Sequence, residues 1–178
     1  MGIPGLTLFL LMLGFPAPSL LLPPRPICDQ SVMDKYIQDA GRAEREVEEM
    51  CRTSCDLLEP VTVLDTKVNF PAWKAMERSR QAWEVWQGQA LLSAAIVQVK
   101  RQPPDGRRFL LQLEVIESYL RSIREILRGH NAQVAPQDPD VTPRLRVQTV
   151  QKLFSVYSSF LRGKVNLFVS GACQANAT

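Results

Sequence analysis

KLFSVYSSFLRGK, at residues 152–164, has the spacing of a helix with two different faces. At about 100° per residue, one sector is apolar and holds Leu153, Tyr157, Phe160, Leu161, Leu167 and Phe168. The opposite side is small and polar, and it holds Ser155, Ser159, Arg162, Gly163 and Asn166. A glycine inside a helix costs roughly 0.5–1 kcal/mol relative to alanine, so Gly163 calls for a reason, and the close approach of a partner surface is one such reason. The adjacent Lys164 falls in the apolar sector, which predicts a buried stem whose ammonium either snorkels to solvent or finds an acidic or carbonyl partner.

Four segments carry apolar residues at helical spacing, which predicts an all-α fold. The predicted helices cover about residues 31–50, 71–100, 107–128 and 144–169. The connections after the first and third helices are long, whereas the B–C link at residues 102–106 between the second and third is short. This order favours an up-up-down-down four-helix bundle. Residues 62–70, in the first long connection, are rich in β-formers and predict a minor extended strand laid across the bundle.

The N-terminal residues have the composition of a secretory leader. The first 24 residues carry no charged side chain, and the apolar run from Ile3 to Phe15 has the length of a signal-peptide core. We expect a signal peptide at residues 1–22 and one folded domain at residues 23–178. The run is too short, and too interrupted by proline, to span a membrane. The sequence therefore predicts a secreted, extracellular protein without membrane insertion.

Four cysteines are consistent with an extracellular protein, because disulfides form in oxidising compartments. Cys28, Cys51, Cys55 and Cys173 allow three pairings. We favour Cys51–Cys55, which would close a tight loop at a helix end, and Cys28–Cys173, which would tie the two ends of the domain together. The second pair suits the up-up-down-down arrangement, in which the first helix starts at the end of the bundle where the fourth helix finishes.

Catalysis, metal binding and nucleic-acid binding have little support in the sequence. The one histidine, His130, follows a predicted helix end and is expected to be a solvated loop residue. Phosphate-binding, serine-hydrolase and zinc-protease motifs are missing. The 21 basic and 18 acidic residues are interleaved, which does not favour a nucleic-acid partner. We expect no enzymatic activity and no cofactor, and we assign Trp83 and Trp86 to the core, Trp86 foremost because it lies on the apolar stripe.

Several longer runs resemble the erythropoietin family of four-helix-bundle cytokines. They are RPICD at 25–29, DTKVNF at 65–70 with AWK at 72–74, EVWQG at 84–88 with ALLS at 90–93, and the stretch at 152–164 together with Cys173. The resemblance implies a monomeric hormone that brings together two copies of a single-pass class I cytokine receptor. It also implies JAK/STAT-type signalling from receptor-bound kinases, and hence proliferation and differentiation of red-cell precursors. The family's disulfide pattern matches the pairing favoured above.

The resemblance further implies two receptor-binding faces. The high-affinity first face would comprise Thr66, Lys67, Asn69, Phe70, Ser159, Arg162, Gly163 and Leu167. The weaker second face would comprise Val32, Lys35, Tyr36, Ser118, Arg121 and Ser122. The chain departs from the family pattern at Lys35, Gly41, Ser155 and Ser159, and its one N-glycosylation sequon starts at Asn176. The alternative function is a secreted carrier of lipid or another small apolar ligand.

Overall fold

The computed structural model describes residues 27–53, 55–104, 107–134 and 142–176. The expected signal peptide at residues 1–22 lies outside these ranges, as do residues 105–106 of the short connection. The helices are α1 (Gln30–Met50), α2 (Phe70–Ala75), α3 (Arg78–Arg101), α4 (Leu110–Gly129), α5 (Val150–Phe160) and α6 (Asn166–Ala175). A 3₁₀ turn covers Ala132–Val134, a π-helical turn at Leu161–Val165 joins α5 to α6, and the strands are β1 (Asp56–Leu64) and β2 (Arg144–Thr149).

Four long helical units form an up-up-down-down bundle, as the sequence predicted. They are α1, α3, α4 and the continuous run of α5, π-turn and α6, which is called the last helix below. The disulfide from Cys28 to Cys173 joins the start of α1 to the end of the last helix, so these two are antiparallel. Arg78, at the start of α3, likewise contacts the carbonyl of Phe168 near the end of the last helix. His130, just after α4, contacts the carbonyl of Ile27 before α1, so α4 runs with the last helix.

A short strand, and not a longer helix, precedes α5. β2 pairs antiparallel with β1, with Val61 opposite Val147 and Val63 opposite Leu145. The prediction of a helix from residue 144 is therefore wrong, because Leu145 and Val147 alternate with exposed arginines at the period of a strand. Thr149 ends β2 and caps α5, since its hydroxyl accepts a hydrogen bond from the Lys152 amide at 3.1 Å. The last helix also continues beyond the predicted end at residue 169.

The first long connection and the second predicted helix also differ from expectation. The strand predicted at residues 62–70 begins earlier, at Asp56, and ends at Leu64, so prediction and structure overlap at residues 62–64; residues 65–69 follow it without regular secondary structure. The helix predicted from residue 71 is interrupted at Met76 and Glu77, whose ψ angles of 139° and 146° are extended. The α2 helix is thus a separate turn across the bundle. Its C-terminal carbonyl at Trp73 is satisfied by the Gln81 side chain, which donates at 2.8 Å.

The core lies between the four long helical units. Its largest fully buried side chains include Met33, Leu92, Phe109, Leu120, Phe154, Tyr157 and Phe160. Of the two tryptophans assigned to the core, Trp83 is the more buried, which reverses the expected order of burial. Trp83 is 6% exposed, whereas Trp86 is only partly buried. The Arg124 guanidinium lies 5.3 Å from the Trp86 ring centroid. This cation–π contact covers the ring at the edge of the bundle.

Two disulfides join the cysteines in the favoured pairing. Cys28–Cys173 ties the ends of the domain together with a Cα–Cα distance of 5.5 Å, and Cys51–Cys55 closes the turn after α1 at 5.7 Å. Both distances are usual for disulfides. Among the described residues, none of the helices combines the length and the apolar character that crossing a membrane requires.

Candidate functional site

A groove of about 400 Å³ runs between residues 65–68 and the polar side of the last helix. It is lined by Asp65, Thr66, Lys67, Val68, Leu145, Lys152, Ser155, Val156, Ser159, Arg162 and Gly163. Five residues that the sequence assigned to the first face lie together here: Thr66, Lys67, Ser159, Arg162 and Gly163. The polar helix face and the first long connection therefore form one continuous surface.

Residues 65–68 are held in place by hydrogen bonds, and they lie against the last helix at Val68. The Asp65 amide donates to the Pro143 carbonyl at 2.9 Å, and the Asp65 carboxylate accepts from the Lys67 amide at 3.0 Å. Val68 lies so close to Gly163 that a Cβ added there would stand 3.1 Å from Val68 Cγ2. The close approach that the mid-helix glycine indicated is thus made by the protein's own connection, and not by a partner.

The π-turn sets which side chains of the last helix face the groove. A π-turn widens the helix by one residue and is often found at functional sites. Within Leu161–Val165, Arg162 is exposed and Gly163 lies at the groove, whereas Lys164 is 5% exposed. Lys164 donates to the Asp65 carbonyl at 2.7 Å and pairs with Glu84 at 2.8 Å. The predicted buried stem is confirmed, and of the two outcomes expected for the ammonium, pairing with a carbonyl and an acidic partner is the one observed.

The remaining first-face residues lie beside the groove or away from it. The Asn69 side chain caps α2 by accepting from the Ala72 amide at 3.1 Å. Phe70, the first residue of α2, is 48% exposed, with the Lys74 ammonium 4.7 Å from its ring centroid. Leu167 is half-buried, packs against the core and does not line the groove. Asn69 and Phe70 can therefore extend the groove surface, while Leu167 contributes mainly to packing.

Six groove residues were not assigned to the first face from the sequence: Asp65, Val68, Leu145, Lys152, Ser155 and Val156. Lys152 stands three residues before Ser155 and seven before Ser159, so the helical spacing could have identified it. Leu145 reaches the groove from β2, which the sequence had placed in a helix.

The groove carries positive charge that no salt bridge of the described residues neutralises. Lys67, Lys152 and Arg162 are exposed and form no salt bridge within the described part of the chain. Among the described residues that line the groove, Asp65 is the one carboxylate. An acidic partner surface would suit this groove and would be steered toward it over distances near the Debye length.

The predicted second face forms where α1 and α4 meet. Lys35, Ser118 and Arg121 are exposed there, whereas Val32, Tyr36 and Ser122 are partly buried. The Tyr36 and Tyr119 rings pack edge to face with centroids 5.3 Å apart. This contact links the two helices that carry the six predicted residues.

A hydrogen-bonded carboxylate stabilises the second face. The Tyr119 hydroxyl donates to Asp39 at 3.0 Å, and Lys35 pairs with Asp39 at 3.3 Å. Burial raises the pKa of Asp39, but the hydrogen bonds from Tyr119 and Lys35 and the nearby positive charges outweigh burial and lower that pKa below its usual value. The same hydrogen bond, together with burial, raises the pKa of Tyr119. Asp39 is therefore ionised at neutral pH and orients Lys35.

The two surfaces share no residue and are built from different elements. The second face spans α1 and α4, which meet at Tyr36 and Tyr119. The groove is lined by the first long connection, by Leu145 of β2 and by the polar side of the last helix.

His130 is not the solvated loop residue that the sequence predicted. Its Nε2 lies 3.0 Å from the Ile27 carbonyl, and its ring packs edge to face on Phe168 at 6.5 Å. Burial and the charge of Arg78 lower the pKa of His130, and the hydrogen bond to Ile27 only partly offsets them. The ring nitrogens lie near the sulfurs of Cys28 and Cys173, but those sulfurs are joined in a disulfide and offer no thiolate to a metal.

Comparisons with known proteins agree with the fold. Residues 25–176 match the family described as erythropoietin/thrombopoietin. Horse erythropoietin is 45% identical over 181 residues, which cover 95% of this chain and 92% of the relative. Mouse erythropoietin is 43% identical over 191 residues, which cover 98% of both, and sheep erythropoietin is 45% identical over 186 residues, covering 96% and 94%. The chain therefore belongs to the erythropoietin/thrombopoietin family and is an erythropoietin-like cytokine hormone, not an enzyme.

Proposed function

We propose that this hormone is secreted and brings two copies of a class I cytokine receptor together. The first receptor contacts the groove surface, and the second contacts the surface of α1 and α4. Proximity of the receptor chains then activates the kinases bound to their cytoplasmic tails, and JAK/STAT-type signalling promotes proliferation and differentiation of erythroid precursors. Residues 1–22 are removed as a signal peptide, and residues 23–178 act as a monomeric ligand.

The observation that carries the proposal is the presence of two exposed polar surfaces that share no residue and lie on different elements of one bundle. Each surface presents an exposed arginine, Arg162 on the first and Arg121 on the second. Arginine is enriched among residues that dominate binding energy in protein interfaces. Two separate surfaces of this kind support a hormone that holds two receptors at once.

The two surfaces differ in ways that support unequal affinities. The first is concave and keeps three exposed cations unpaired within the described chain, whereas Lys35 and Arg121 on the second are already paired with Asp39 and Glu117. A cation that is unpaired in the free hormone gives up no ion pair when an acidic partner binds, whereas a paired cation does. We therefore propose that the groove is the tight site.

The alternative carrier function fits the interior less well. A carrier would have to open its apolar stripes around cargo, but those stripes pack against one another. Phe109, Phe154 and Phe160 are each at most 1% exposed. The Cys28–Cys173 disulfide also joins the start of α1 to the last helix and restrains separation of the helices.

Replacement of Arg162 by alanine tests the first face. Truncation of a residue that dominates binding costs about 2 kcal/mol or more, so we expect Arg162→Ala to weaken binding of the purified receptor ectodomain about 30-fold. Arg107→Ala is the matched control, because Arg107 is equally exposed but precedes α4, away from both faces. Equal ectodomain affinities for Arg162→Ala and Arg107→Ala would show that the groove is not the tight site.

A further inference from the structure

A buried carboxylate in α3, Glu84, gathers polar groups from three parts of the chain. Glu84 is 6% exposed, and its Oε2 lies 2.8 Å from the Lys164 ammonium of the π-turn. Its Oε1 lies 3.5 Å from Arg80 Nε and accepts a hydrogen bond from the Thr142 hydroxyl at 3.4 Å. Arg80 also donates to the Thr142 hydroxyl. A buried charge persists only when it is paired and hydrogen-bonded, so these four side chains form one interdependent cluster.

This cluster holds the backbone of Asp65 from two directions. The Lys164 ammonium donates to the Asp65 carbonyl at 2.7 Å. The Asp65 amide donates to the carbonyl of Pro143 at 2.9 Å, and Pro143 is bonded to Thr142 of the cluster. Both paths lead back to the two carboxylate oxygens of Glu84. The contacts therefore close a ring that starts and ends at Glu84 and passes through the Asp65 residue.

Asp65 in turn fixes the residues that line the groove. Its side chain accepts from the Lys67 amide at 3.0 Å, which bends the chain so that Thr66 and Lys67 face the groove. We propose that Glu84 is a positioning residue for the first receptor-binding face: it touches no receptor, but it sets where Thr66 and Lys67 stand relative to Arg162. This inference rests on the proposed function of the groove and names the part of the interior that maintains it.

The paired variant Glu84→Gln/Lys164→Met tests the positioning role. It removes the Glu84 and Lys164 charges together, so neither of these two is left without the other. The Arg80 side chain, which is 21% exposed, loses its carboxylate partner, but glutamine keeps an oxygen acceptor for Arg80 and Thr142. We expect first-face affinity for the receptor ectodomain to fall about tenfold, while second-face affinity stays within about twofold of the parent. A folded paired variant with parental first-face affinity would overturn the proposal.

Thr142 offers a milder perturbation with a matched control. Thr142→Val removes the hydroxyl with little change of shape, whereas Thr142→Ser keeps the hydroxyl. Amide hydrogen exchange of Asp65 and Lys67, measured in the free hormone, reads the cluster without any receptor. We expect exchange at these two amides to accelerate about tenfold in Thr142→Val and to stay near the parental rate in Thr142→Ser.

The two readouts separate failure of this inference from failure of the proposed face. Unchanged amide exchange at Asp65 and Lys67 in Thr142→Val would overturn the positioning role, regardless of the receptor affinity. Accelerated exchange with weaker first-face binding supports it. Accelerated exchange in Thr142→Val, combined with parental affinity in both Thr142→Val and Arg162→Ala, would support the positioning of Asp65 and contradict the groove as a receptor site.

Discussion

Replacement of Gly163 by alanine separates helix stability from receptor binding at one position. An ideal Cβ at residue 163 would lie 3.1 Å from Val68 Cγ2 and 3.9 Å from the Thr66 carbonyl oxygen. Carbon atoms in contact prefer separations of about 3.5–4.0 Å, so Val68 must move away by a few tenths of an ångström. Alanine also loses less backbone entropy in a helix than glycine does, which contributes about 0.5–1 kcal/mol to stability.

These two effects nearly cancel in the free energy of unfolding. Overpacking costs about 1–3 kcal/mol, and we expect the lower end because Val68 is only partly buried in a segment without regular structure. The free energy of unfolding of Gly163→Ala should therefore stay within about 1 kcal/mol of the parent. Displacement of Val68 moves Thr66 and Lys67 with it, so first-face affinity should fall about five- to tenfold.

Gly41→Ala is the control for helix propensity. Gly41 lies inside α1, and an added Cβ would meet only the end of the Arg45 side chain at 3.5 Å. This variant should be more stable than the parent by about 0.5–1 kcal/mol and should bind the first receptor with parental affinity. Urea unfolding followed by circular dichroism, and calorimetric titration of the receptor ectodomain, measure the two quantities. If Gly163→Ala were as stabilising as Gly41→Ala and bound the receptor like the parent, the close contact with Val68 would be refuted.

Three further predictions concern stability. Gly88→Ala should lower the free energy of unfolding by about 1–3 kcal/mol, because the new Cβ would stand 2.7 Å from the buried ring of Phe160; a stabilised variant in urea unfolding would contradict the packing. Replacing Cys28 and Cys173 by serine removes a closure that spans 145 residues, and it should lower the free energy of unfolding by about 5 kcal/mol in the chain-entropy model. Removing the four-residue closure after α1 should lower it by about 2 kcal/mol. An equal loss of stability from both replacements in chemical denaturation would contradict that reasoning. The pKa of His130 is lower in the folded state than in the unfolded state. The neutral imidazole therefore contributes stability above the unfolded pKa of about 6.5, and this contribution is lost as the pH falls through the pKa of the folded state. His130→Gln keeps an N–H donor but cannot titrate, and it should flatten the fall in stability below about pH 6.5; an unchanged pH profile would exclude this role.

The bundle could be predicted from the sequence because each long helix buries one apolar stripe, and the lengths of the connections restrict their order. β2 could not be predicted in this way, because RLRVQT has six residues and directly precedes α5. Over so short a segment, the spacing of the apolar residues fits a helix and a strand alike. Its state depends on pairing with β1, which is distant in the sequence. The break at Met76 and Glu77 is likewise a tertiary feature that helical periodicity does not report.

The polar side of the last helix was predictable, but the arrangement of the groove was not. Helical spacing placed Ser159, Arg162 and Gly163 together, and it correctly turned Lys164 inward. Lys164 of the π-turn contacts Glu84 and the Asp65 carbonyl, and these partners come from other segments. Spacing within one helix could not show that the protein's own Val68 covers Gly163.

Receptor stoichiometry decides between a two-face hormone and a ligand with one site. Arg121 is exposed, and its ion pair with Glu117 at 3.6 Å lies on the helix surface, where such pairs contribute little to stability. Arg121→Ala should therefore fold normally and lose only the second contact. Sedimentation of the hormone with excess receptor ectodomain should give two receptors per parent molecule, but one receptor per Arg121→Ala molecule, held with parental first-face affinity. Two receptors bound to Arg121→Ala with parental affinities would contradict the second face and the proposal built on it.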